Sequence, residues 1–342
     1  MDDTSPALVL GGTGSFGGAM ARELSQRGRP VRLLARNPAR AEAALAGLSG
    51  IDVQPGDVLD ATQVKAAASG CDLIVHGVNY PYDKWVPYMH TATLNVIAAA
   101  RAAGASVVFP GNIYGYGIQA SAPLTEDAPM QPNSRKGRFR VRLEETLEAA
   151  TREPAPEPEP GPAPPAGAEA AEEVPPLPPI RVLIVRGGDY FGPTVGNELQ
   201  DWVFARAKQG KAQTVFGRLD AGHEYLYVPD LARAAVDLLA LGDRLAPFEV
   251  VNVPGYVADS QRAFCAAVAA AAGHPGLAAK AMPWWMVRLF GLFNGPAREL
   301  LEMRYLFENP VRLDGSKLQR LLPDFEPTPL EAAIRETLAR YS

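Results

Sequence analysis

The chain has 342 residues, a formal net charge of −5 and an apolar fraction of 47%, values that are ordinary for a globular protein. Residues 154–179 hold five glutamates and neither Lys nor Arg, so the rest of the chain is formally near neutral. A nucleic-acid-binding domain usually carries a concentrated basic surface. We therefore expect no nucleic-acid partner.

Cysteine usage and the apolar runs narrow the class of protein further. The two cysteines, Cys71 and Cys265, have no metal-type spacing, which argues against a disulfide scaffold and against a metal site. The most apolar late stretch, residues 281–293, contains Arg288 and is shorter than the roughly 20 residues of a membrane span. The N-terminus lacks a basic region followed by an apolar core. These features predict a cytoplasmic protein with no metal and no membrane partner.

Short apolar runs alternate with helical patterns over the first 110 residues. The predicted strands are 7–10, 31–35, 51–54, 73–76 and 107–110. The predicted helices between them are 19–27, 39–48, 61–68 and 86–103. Strands that alternate with helices form right-handed βαβ crossovers, which place the strands parallel in one sheet covered on both faces. The predicted fold class is α/β, with a Rossmann-type doubly wound parallel sheet.

The second half of the chain differs in composition. Residues 154–179 contain eleven prolines, which remove backbone donors and leave little apolar surface to bury. We expect a solvated insertion in a surface loop, with a docking site for a partner as the alternative. The remainder is mostly helical, with a helix predicted at 299–308 and a last one whose N-cap is Thr328. An aromatic cluster is predicted to form a buried helix face, or alternatively an apolar lid. Its members are Trp284, Trp285, Phe290 and Phe293.

A glycine-rich segment follows the first strand directly and opens a helix. Its sequence is Gly11-Gly12-Thr13-Gly14-Ser15-Phe16-Gly17, which contains the spacing Gly-x-Gly-x-x-Gly. Glycine permits a tight turn and lets the backbone approach a pyrophosphate without a Cβ in the way. The N–H groups and the helix dipole then favour the anion. We predict that all seven residues bind a dinucleotide, with a merely tight turn as the alternative.

The end of the second strand indicates which dinucleotide. An NAD enzyme usually places a carboxylate about 20 residues beyond the glycines, to bind the ribose 2′-OH. This chain has Arg36 there, with Arg40 one helical turn further, and no carboxylate. A guanidinium suits a 2′-phosphate instead. The preferred cofactor is therefore predicted to be NADP(H), with NAD(H) as the alternative if Arg36 is only a solvated charge.

Several further motifs resemble the extended short-chain dehydrogenase/reductase family, in its nucleotide-sugar epimerase/dehydratase branch. They are the glycine segment, Gly56-Asp57-Val58, Asn95, the run 109–117, Arg186 to Pro193 and Tyr227 to Ala232. The resemblance implies that Asp57 and Val58 flank the adenine, that His76-Gly77-Val78 runs under the cofactor, and that Asn95 belongs to the cofactor site.

The same resemblance implies a domain organisation. A dinucleotide-binding domain takes residues 1–150 and continues through 180–188 and 225–253. A flexible Pro/Ala/Glu-rich insert takes 151–179. A smaller, mainly helical substrate domain takes most of 189–224 and 254–342 and closes over the nicotinamide.

The usual catalytic residues of that family are replaced. The family uses Ser or Thr and then Tyr-x-x-x-Lys, whereas the resemblance places Asn112, Lys136 and Arg140 at those positions. Asn112 can still donate a hydrogen bond to a carbonyl, and Arg140 can bond ribose hydroxyls but stays charged. Lys136 becomes an acid or base only if burial or a cationic neighbour lowers its pKa. The alternative is a solvated basic helix face, formed by Lys136 with Arg135, Arg138 and Arg142.

Other side chains are candidates for the missing acid. Tyr114, Tyr116 and Tyr190 follow strands at the carboxyl edge of the sheet, where such folds bind ligands, although an aromatic pocket wall is the alternative. His223 precedes a segment that contacts substrate in related proteins, so we expect it in the substrate site, unless it is a surface residue. The segment 80–84 also has the spacing Tyr-x-x-x-Lys, but Pro81 disfavours a helical turn there, and we interpret the spacing as a coincidence.

The predicted function is an NADP(H)-dependent oxidoreductase or epimerase/dehydratase-like enzyme that acts on a carbonyl or a secondary alcohol of a small molecule. Nucleotide sugars are one substrate class to which the resemblance leads. The alternative is a non-catalytic NADP(H)-binding redox sensor or partner-binding protein, because the usual catalytic residues are absent. The sequence leaves a homodimer open.

Overall fold

The structure is a computed structural model that describes residues 4–81, 84–118, 123–152, 178–196, 199–309 and 311–341. The strands are β1 Ala7–Leu10, β2 Val31–Ala35, β3 Ile51–Pro55, β4 Leu73–His76, β5 Ser106–Asn112, β6 Val182–Gly187, β7 Asp189–Phe191, β8 Gln213–Phe216, β9 His223–Tyr227, β10 Phe248–Asn252, β11 Tyr256–Ala258 and β12 Ala279–Met282.

The helices alternate with these strands in the first half of the chain and dominate the last quarter. They are α1 Ser15–Gln26, α2 Pro38–Ala44, α3 Ala61–Ala68, α4 Trp85–Ala103, α5 Arg135–Ala150, α6 Gln200–Lys208, α7 Val228–Leu239, α8 Gln261–Ala271, α9 Trp284–Phe290, α10 Gly295–Leu301, α11 Arg304–Glu308, α12 Ser316–Leu321 and α13 Leu330–Ala339. Within the part of the chain that the structure describes, none of these helices is both long and apolar enough to cross a membrane.

A seven-stranded parallel sheet lies at the centre, in the order β10-β6-β5-β4-β1-β2-β3. The strand order reverses between β1 and β4, whose last residues, Leu10 and His76, lie opposite each other in register. Open α/β sheets bind ligands in the crevice beyond such a reversal, at the carboxyl ends of the strands. The prediction of a doubly wound Rossmann-type sheet is confirmed.

Alternate side chains of β1 supply two separate cores. Ala7 and Val9 pack into the layer that contains α1 and α7, whereas Leu8 and Leu10 pack into the layer with α3, α4 and α5. All four are at most 1% exposed. Burying a side chain as large as Val or Leu contributes roughly 1.5–3 kcal/mol. A strand that is apolar at every position is therefore fixed in the middle of the sheet.

The C-terminal part is smaller and mainly helical, as predicted. It contains two short sheets, of order β11-β9-β7 and β12-β8, beneath α6, α8 and α13. Residues 225–253, predicted to belong to the dinucleotide-binding domain, divide between two sheets. β9 pairs in the short sheet, whereas α7 packs on α1 and β10 forms the edge of the large sheet. The interleaved domain boundaries stay predictions.

The structure corrects three local predictions. The helix predicted at 299–308 is two helices, α10 and α11. Thr328 is not the last N-cap: Pro329 takes that position, and the Thr328 hydroxyl donates to Asp230 at 2.7 Å. The aromatic cluster is not a buried face, because Trp285 is 66% exposed and Phe293 is 91% exposed.

Two predictions fall on residues outside the described ranges. Residues 153–177 of the proline-rich insert lie there, so its flexible, solvated character stays a prediction. Tyr82 and Asp83, in the middle of the 80–84 segment, lie there as well.

Candidate functional site

The glycine segment forms a turn in which side chains have no room. Gly11 has φ +77°, and a Cβ on it would lie 2.5 Å from the Gly77 carbonyl oxygen. A Cβ on Gly17 would lie 2.4 Å from the Gly11 carbonyl oxygen, and one on Gly12 would lie 2.2 Å from Leu33 Cδ1. The blocking atoms at Gly11 and Gly17 are backbone, so the turn requires glycine there, whereas at Gly12 the Leu33 side chain would have to move.

The turn presents unpaired backbone donors at the start of α1. The Gly14 N–H donates to the Gly11 carbonyl at 2.8 Å, and Gly14 is the N-cap without a side-chain capping bond. Ser15, Phe16 and Gly17 follow it, and their N–H groups form no hydrogen bond with a described residue. Thr13 is exposed beside them. Free N–H groups at the positive end of a helix dipole form an anion site. These donors form a cradle that suits a phosphate group, and the close packing of Gly11 and Gly17 on neighbouring backbone keeps the turn tight beside them.

The end of β2 places positive charge beside this cradle. Arg36 is exposed and forms no ion pair with a described carboxylate. Asn37 caps α2 by accepting from the Arg40 N–H at 3.1 Å. Burial raises the pKa of Tyr80, and the charges of Asp57 and Arg36 act on its hydroxyl in opposite directions. Arg36, Asp57 and Tyr80 therefore lie close enough to influence one another at this corner of the sheet edge.

The loop after β3 is shaped by its own polar groups. The Asp57 carboxylate accepts from the Leu59 N–H at 3.0 Å, and the Asp57 N–H donates to Gln63. Asn95, on α4, donates to the Val58 carbonyl at 2.9 Å. Asn95 thus holds the Asp57–Val58 loop in place from a helix 37 residues away.

The segment after β4 lies against the glycine turn. The Gly77 N–H donates to the Leu10 carbonyl at 3.0 Å, which extends the β1–β4 ladder, and Val78 follows beside Gly11. His76 is fully buried, and its Nε2 lies 3.0 Å from Thr93 Oγ1. Its Nδ1 has no hydrogen-bond partner among the described residues. Burial, with a smaller effect of the Arg140 charge, lowers the pKa of His76 to about 3. The ring is therefore neutral at pH 7.

Asn112 lies at the carboxyl end of β5, in register with Gly187 of β6. Its Oδ1 accepts from the Tyr114 N–H at 3.1 Å and caps the short 3₁₀ turn Ile113–Tyr116. This bond orients the side-chain amide, whose Nδ2 forms no hydrogen bond with a described residue. Asn112 consequently keeps a side-chain donor at the sheet edge, and its role in polarising a carbonyl stays a prediction.

Lys136 is buried and ion-paired, at 4% exposure. Its ammonium pairs with Glu299, and it lies 3.3 Å from Glu302. Burial by itself raises the pKa of Glu302, but the Arg135 N–H and the Lys136 ammonium outweigh it and hold that pKa below its usual value. The interpretation of Lys136 as part of a solvated helix face is wrong, although Arg135, Arg138 and Arg142 on the same helix are exposed.

Arg140 lies one turn further along α5 and is also buried, at 6% exposure. Its guanidinium donates to the Pro110 carbonyl and lies over the Phe109 ring, 4.7 Å from the ring centroid. Burial lowers the pKa of Arg140, and the charge of Glu144 opposes that effect. The phenol groups of Tyr114 and Tyr190 lie close enough to interact with this cation.

The three candidate tyrosines have different surroundings. The Tyr114 ring stacks on Trp85 at a centroid distance of 6.3 Å, and the Tyr190 hydroxyl donates to the Gly111 carbonyl at 3.3 Å. The Tyr116 hydroxyl accepts from Arg186 at 2.8 Å and donates to the Thr125 carbonyl at 3.0 Å. Tyr116 is fully buried in these bonds. Tyr114 and Tyr190 therefore gather around Arg140 at the sheet edge, whereas Tyr116 holds the loop beneath.

His223 forms a pair that the sequence did not predict. Its Nε2 lies 2.7 Å from Asp189 Oδ2, and Gln200 donates to the same carboxylate oxygen at 3.1 Å. The ring stacks parallel to Phe307. Asp189 begins β7, two residues beyond the end of β6, and its place just past the carboxyl end of that strand is the signal that could have identified it. For Glu299 and Glu302, the matching signal is two carboxylates three residues apart at a helix end.

Within the described ranges, no group of three or more His, Cys, Asp or Glu side chains is placed to hold a metal ion.

Comparisons with known proteins agree with this geometry. A family model, the NAD dependent epimerase/dehydratase family, matches residues 7–253. An uncharacterised protein of Sinorhizobium fredii is 24% identical over 73% of this chain and 71% of its own length. UDP-glucose 4-epimerase of Corynebacterium glutamicum is 29% identical, over 40% of this chain and 44% of its own length.

Solved structures share the fold over nearly the whole chain. The enzyme WbmH of Bordetella bronchiseptica, in complex with NAD⁺, superposes with a TM-score of 0.70 at 18% identity, covering 99% of this chain and 98% of its own. UDP-glucose 4-epimerase of Brucella ovis, in complex with NAD, gives 0.71 at 16% identity, with coverages of 99% and 98%. DesIV, a dTDP-glucose 4,6-dehydratase of Streptomyces venezuelae, gives 0.71 at 20% identity, with coverages of 98% and 96%.

The family match spans the glycine turn, the β5 site and the loop that carries His223. It confirms the resemblance that the sequence motifs carried, and it indicates an enzyme. The chain belongs to the NAD-dependent epimerase/dehydratase family.

Proposed function

We propose that the protein is a cytoplasmic NADP(H)-dependent oxidoreductase or epimerase/dehydratase that acts on a carbonyl or secondary alcohol of a small molecule. The observation that carries the proposal is the glycine turn. A Cβ on Gly11 or Gly17 would lie within 2.5 Å of a backbone oxygen, and the α1 donors beyond the turn lack partners among the described residues. Few functions other than anion binding account for a turn of this kind.

The residues that would hold the cofactor follow from the geometry. The donors of Ser15, Phe16 and Gly17 suit the pyrophosphate, and the loop that Asn95 holds in place suits the adenine. Arg36 is exposed at the end of β2, where a 2′-phosphate would lie, and a charge-assisted hydrogen bond to it favours NADP(H) over NAD(H). NAD(H) is the alternative, because two of the similar solved structures are complexes with NAD.

The cofactor, when bound, supplies hydride transfer, and the protein supplies binding, orientation and the proton. Asn112 donates through Nδ2 to the substrate oxygen and polarises it. Tyr114 is the proton donor in this proposal, with Tyr190 next to it. Arg140 takes the part of the usual lysine, because a fixed positive charge beside a phenol favours its ionised form. Buried beneath the site, Arg140 cannot itself relay the proton.

Lys136 has a different part in the proposal. Its ammonium is bound by two carboxylates of the C-terminal region, so we assign it a positioning role and no longer an acid/base role. The same ion pair is the observation that favours a second function, a non-catalytic NADP(H)-binding protein. The resemblance places Lys136 at the position of the family's usual tyrosine, and there its ammonium links α5 to the C-terminal region.

Titration of the purified protein with NADPH and with NADH, followed by nicotinamide fluorescence, tests the cofactor proposal. We expect NADPH to bind roughly 10-fold to 100-fold more tightly than NADH, the range of one charged hydrogen bond. Arg36→Asp should remove that preference by weakening NADPH binding. Arg320→Asp is the matched control, because it makes the same charge change on exposed α12, which packs against the opposite edge strand. No binding of either nucleotide would refute both candidate functions.

A panel of aldehydes, ketones and secondary alcohols, with UDP-hexoses and dTDP-hexoses included, then separates the two functions. Turnover that Tyr114→Phe abolishes, with nucleotide binding retained, supports the enzyme. Nucleotide binding with no turnover on the whole panel, together with different protease sensitivity of the NADP⁺ and NADPH forms, supports the sensor.

A further inference from the structure

The segment 284–293 exposes several large apolar side chains close together in the chain, which we call the aromatic patch. Five such residues within nine positions are more than half exposed. They are Trp285 at 66%, Leu289 at 54%, Phe290 at 56%, Leu292 at 68% and Phe293 at 91%. Single exposed apolar residues are normal on protein surfaces, but a contiguous cluster marks an interaction site.

The patch is held in position by side chains on its inner side. Val287 is 3% exposed, and the Trp284 ring packs 6.1 Å from both Phe216 and Phe307, measured between centroids. The same helix therefore has a buried side that anchors it and an apolar side that faces outward. Since the anchoring contacts are already satisfied, the outward side chains do not contribute to this core.

The charged residues within the segment 279–298 are all basic. From Ala279 to Arg298 the chain contains Lys280, Arg288 and Arg298 and no Asp or Glu, in a protein whose net charge is −5. All three are exposed, and none forms an ion pair with a described carboxylate. An apolar segment that carries basic side chains within it and on its flanks is complementary to a surface that is apolar inside and negatively charged outside.

We propose that the aromatic patch inserts into the surface of an anionic lipid bilayer, with the helix α9 in the membrane plane. Trp, Phe and Leu enter the headgroup–acyl boundary, and Lys280, Arg288 and Arg298 bind the anionic headgroups. A second copy of this chain is a poorer occupant, because a two-fold contact would bring the same positive residues together. The sequence argument against a membrane partner concerned only a span, and in-plane insertion requires no span.

This inference does not rest on the proposed function, because it uses none of the cofactor or catalytic residues. The two can therefore fail separately. Each basic residue near an anionic surface is expected to strengthen the binding roughly fivefold, so that binding should weaken steeply with salt and with the loss of anionic lipid.

Co-sedimentation of the full chain with vesicles tests the proposal. The vesicles consist of phosphatidylcholine alone or of phosphatidylcholine with phosphatidylglycerol. We expect the protein to sediment with the anionic vesicles and at least tenfold less with the neutral ones. The double variant Leu289→Ser with Phe293→Ser should lose at least tenfold in binding. Because both side chains are exposed, this variant should keep its thermal unfolding midpoint.

The matched control is Val86→Ser with Leu94→Ser, two apolar side chains of α4 that are 69% and 45% exposed. It should sediment like the unmodified protein. Absence of sedimentation with either vesicle overturns the proposal, as does equal sedimentation of the patch variant. Light scattering tests the other occupant, a second copy of this chain. If the unmodified protein is a dimer and the patch variant is a monomer, the patch is a dimer interface and the proposal is wrong. NADPH titration of the same samples tests the cofactor proposal independently, so that the failure of one proposal is not mistaken for the failure of the other.

Discussion

At the β1–β2 half of the sheet edge the candidate site is made of backbone, whereas at the β5–α5 half it is made of side chains. The first half depends on the absence of side chains, since a Cβ on Gly11 would collide with the backbone of Gly77. The second half depends on the side chains of Asn112, Lys136 and Arg140. Asn112 accepts from the nearby Tyr114 N–H, whereas Lys136 and Arg140 have partners in other elements of the fold.

The difference shows which features of a site tolerate substitution. A backbone cradle leaves no freedom, because any side chain collides with the main chain. A side-chain site can change its chemistry while the fold persists, provided that each buried charge has a partner. Here Glu299 and Glu302 compensate Lys136, and the Pro110 carbonyl accepts from Arg140. The family's fold is therefore compatible with these side chains at the end of β5 and the start of α5.

The strongest test of the backbone half compares two glycines with the same backbone conformation. Gly11 has φ +77° and Gly70 has φ +74°, but a Cβ on Gly70 would meet nothing within 4 Å. Gly11→Ala should abolish measurable nucleotide binding, while Gly70→Ala should leave it unchanged and cost only about 1 kcal/mol of stability. The readouts are nucleotide titration and urea unfolding. If both variants bound the nucleotide normally, the cradle would not be the cofactor site.

Substitutions in the side-chain half should mainly lower the free energy of unfolding. Lys136→Met removes the buried cation of this cluster and leaves Glu299 and Glu302 with the exposed Arg135, which should lower the free energy of unfolding by about 2 kcal/mol. Arg138→Met, two residues along the same helix but exposed, should cost less than about 0.5 kcal/mol. Urea unfolding of both variants provides the comparison. Equal costs would mean that the ion pair contributes nothing beyond a surface salt bridge.

His76 lies between the two halves and should give the smallest effect, visible only in acid. Its pKa is about 3 in the folded protein and 6.5 when the side chain is free in water, so between those values only the unfolded chain takes up the proton. Stability is then complete above about pH 6.5 and falls as the pH drops, by at most about 1.4 kcal/mol per pH unit from this residue. His76→Gln should show a shallower decline of unfolding free energy between pH 7 and pH 5. An identical slope in both proteins would contradict the buried neutral ring.

Features that depend on local chain properties could be predicted from the amino-acid sequence. Alternating apolar runs and helical patterns predict the parallel sheet, because each element carries its own periodicity. The glycine turn was predicted in full for the same reason, as was the start of a helix after it. Helix ends were less certain, and Thr328 shows why: its hydroxyl bonds Asp230, 98 residues away, instead of capping the adjacent helix.

The partners of the buried polar groups follow from the packing of the fold and could not be predicted from the sequence. Lys136 lies in a run of basic residues, and no pattern in that run predicts its pairing with the glutamates 163 and 166 residues further along. Likewise, no local sequence pattern predicts that His223 pairs with Asp189, 34 residues away. The aromatic patch shows the same limit, because helical spacing tells which residues share a face but not what covers that face. Contacts between segments far apart in the chain depend on the packed fold, and local sequence does not encode them.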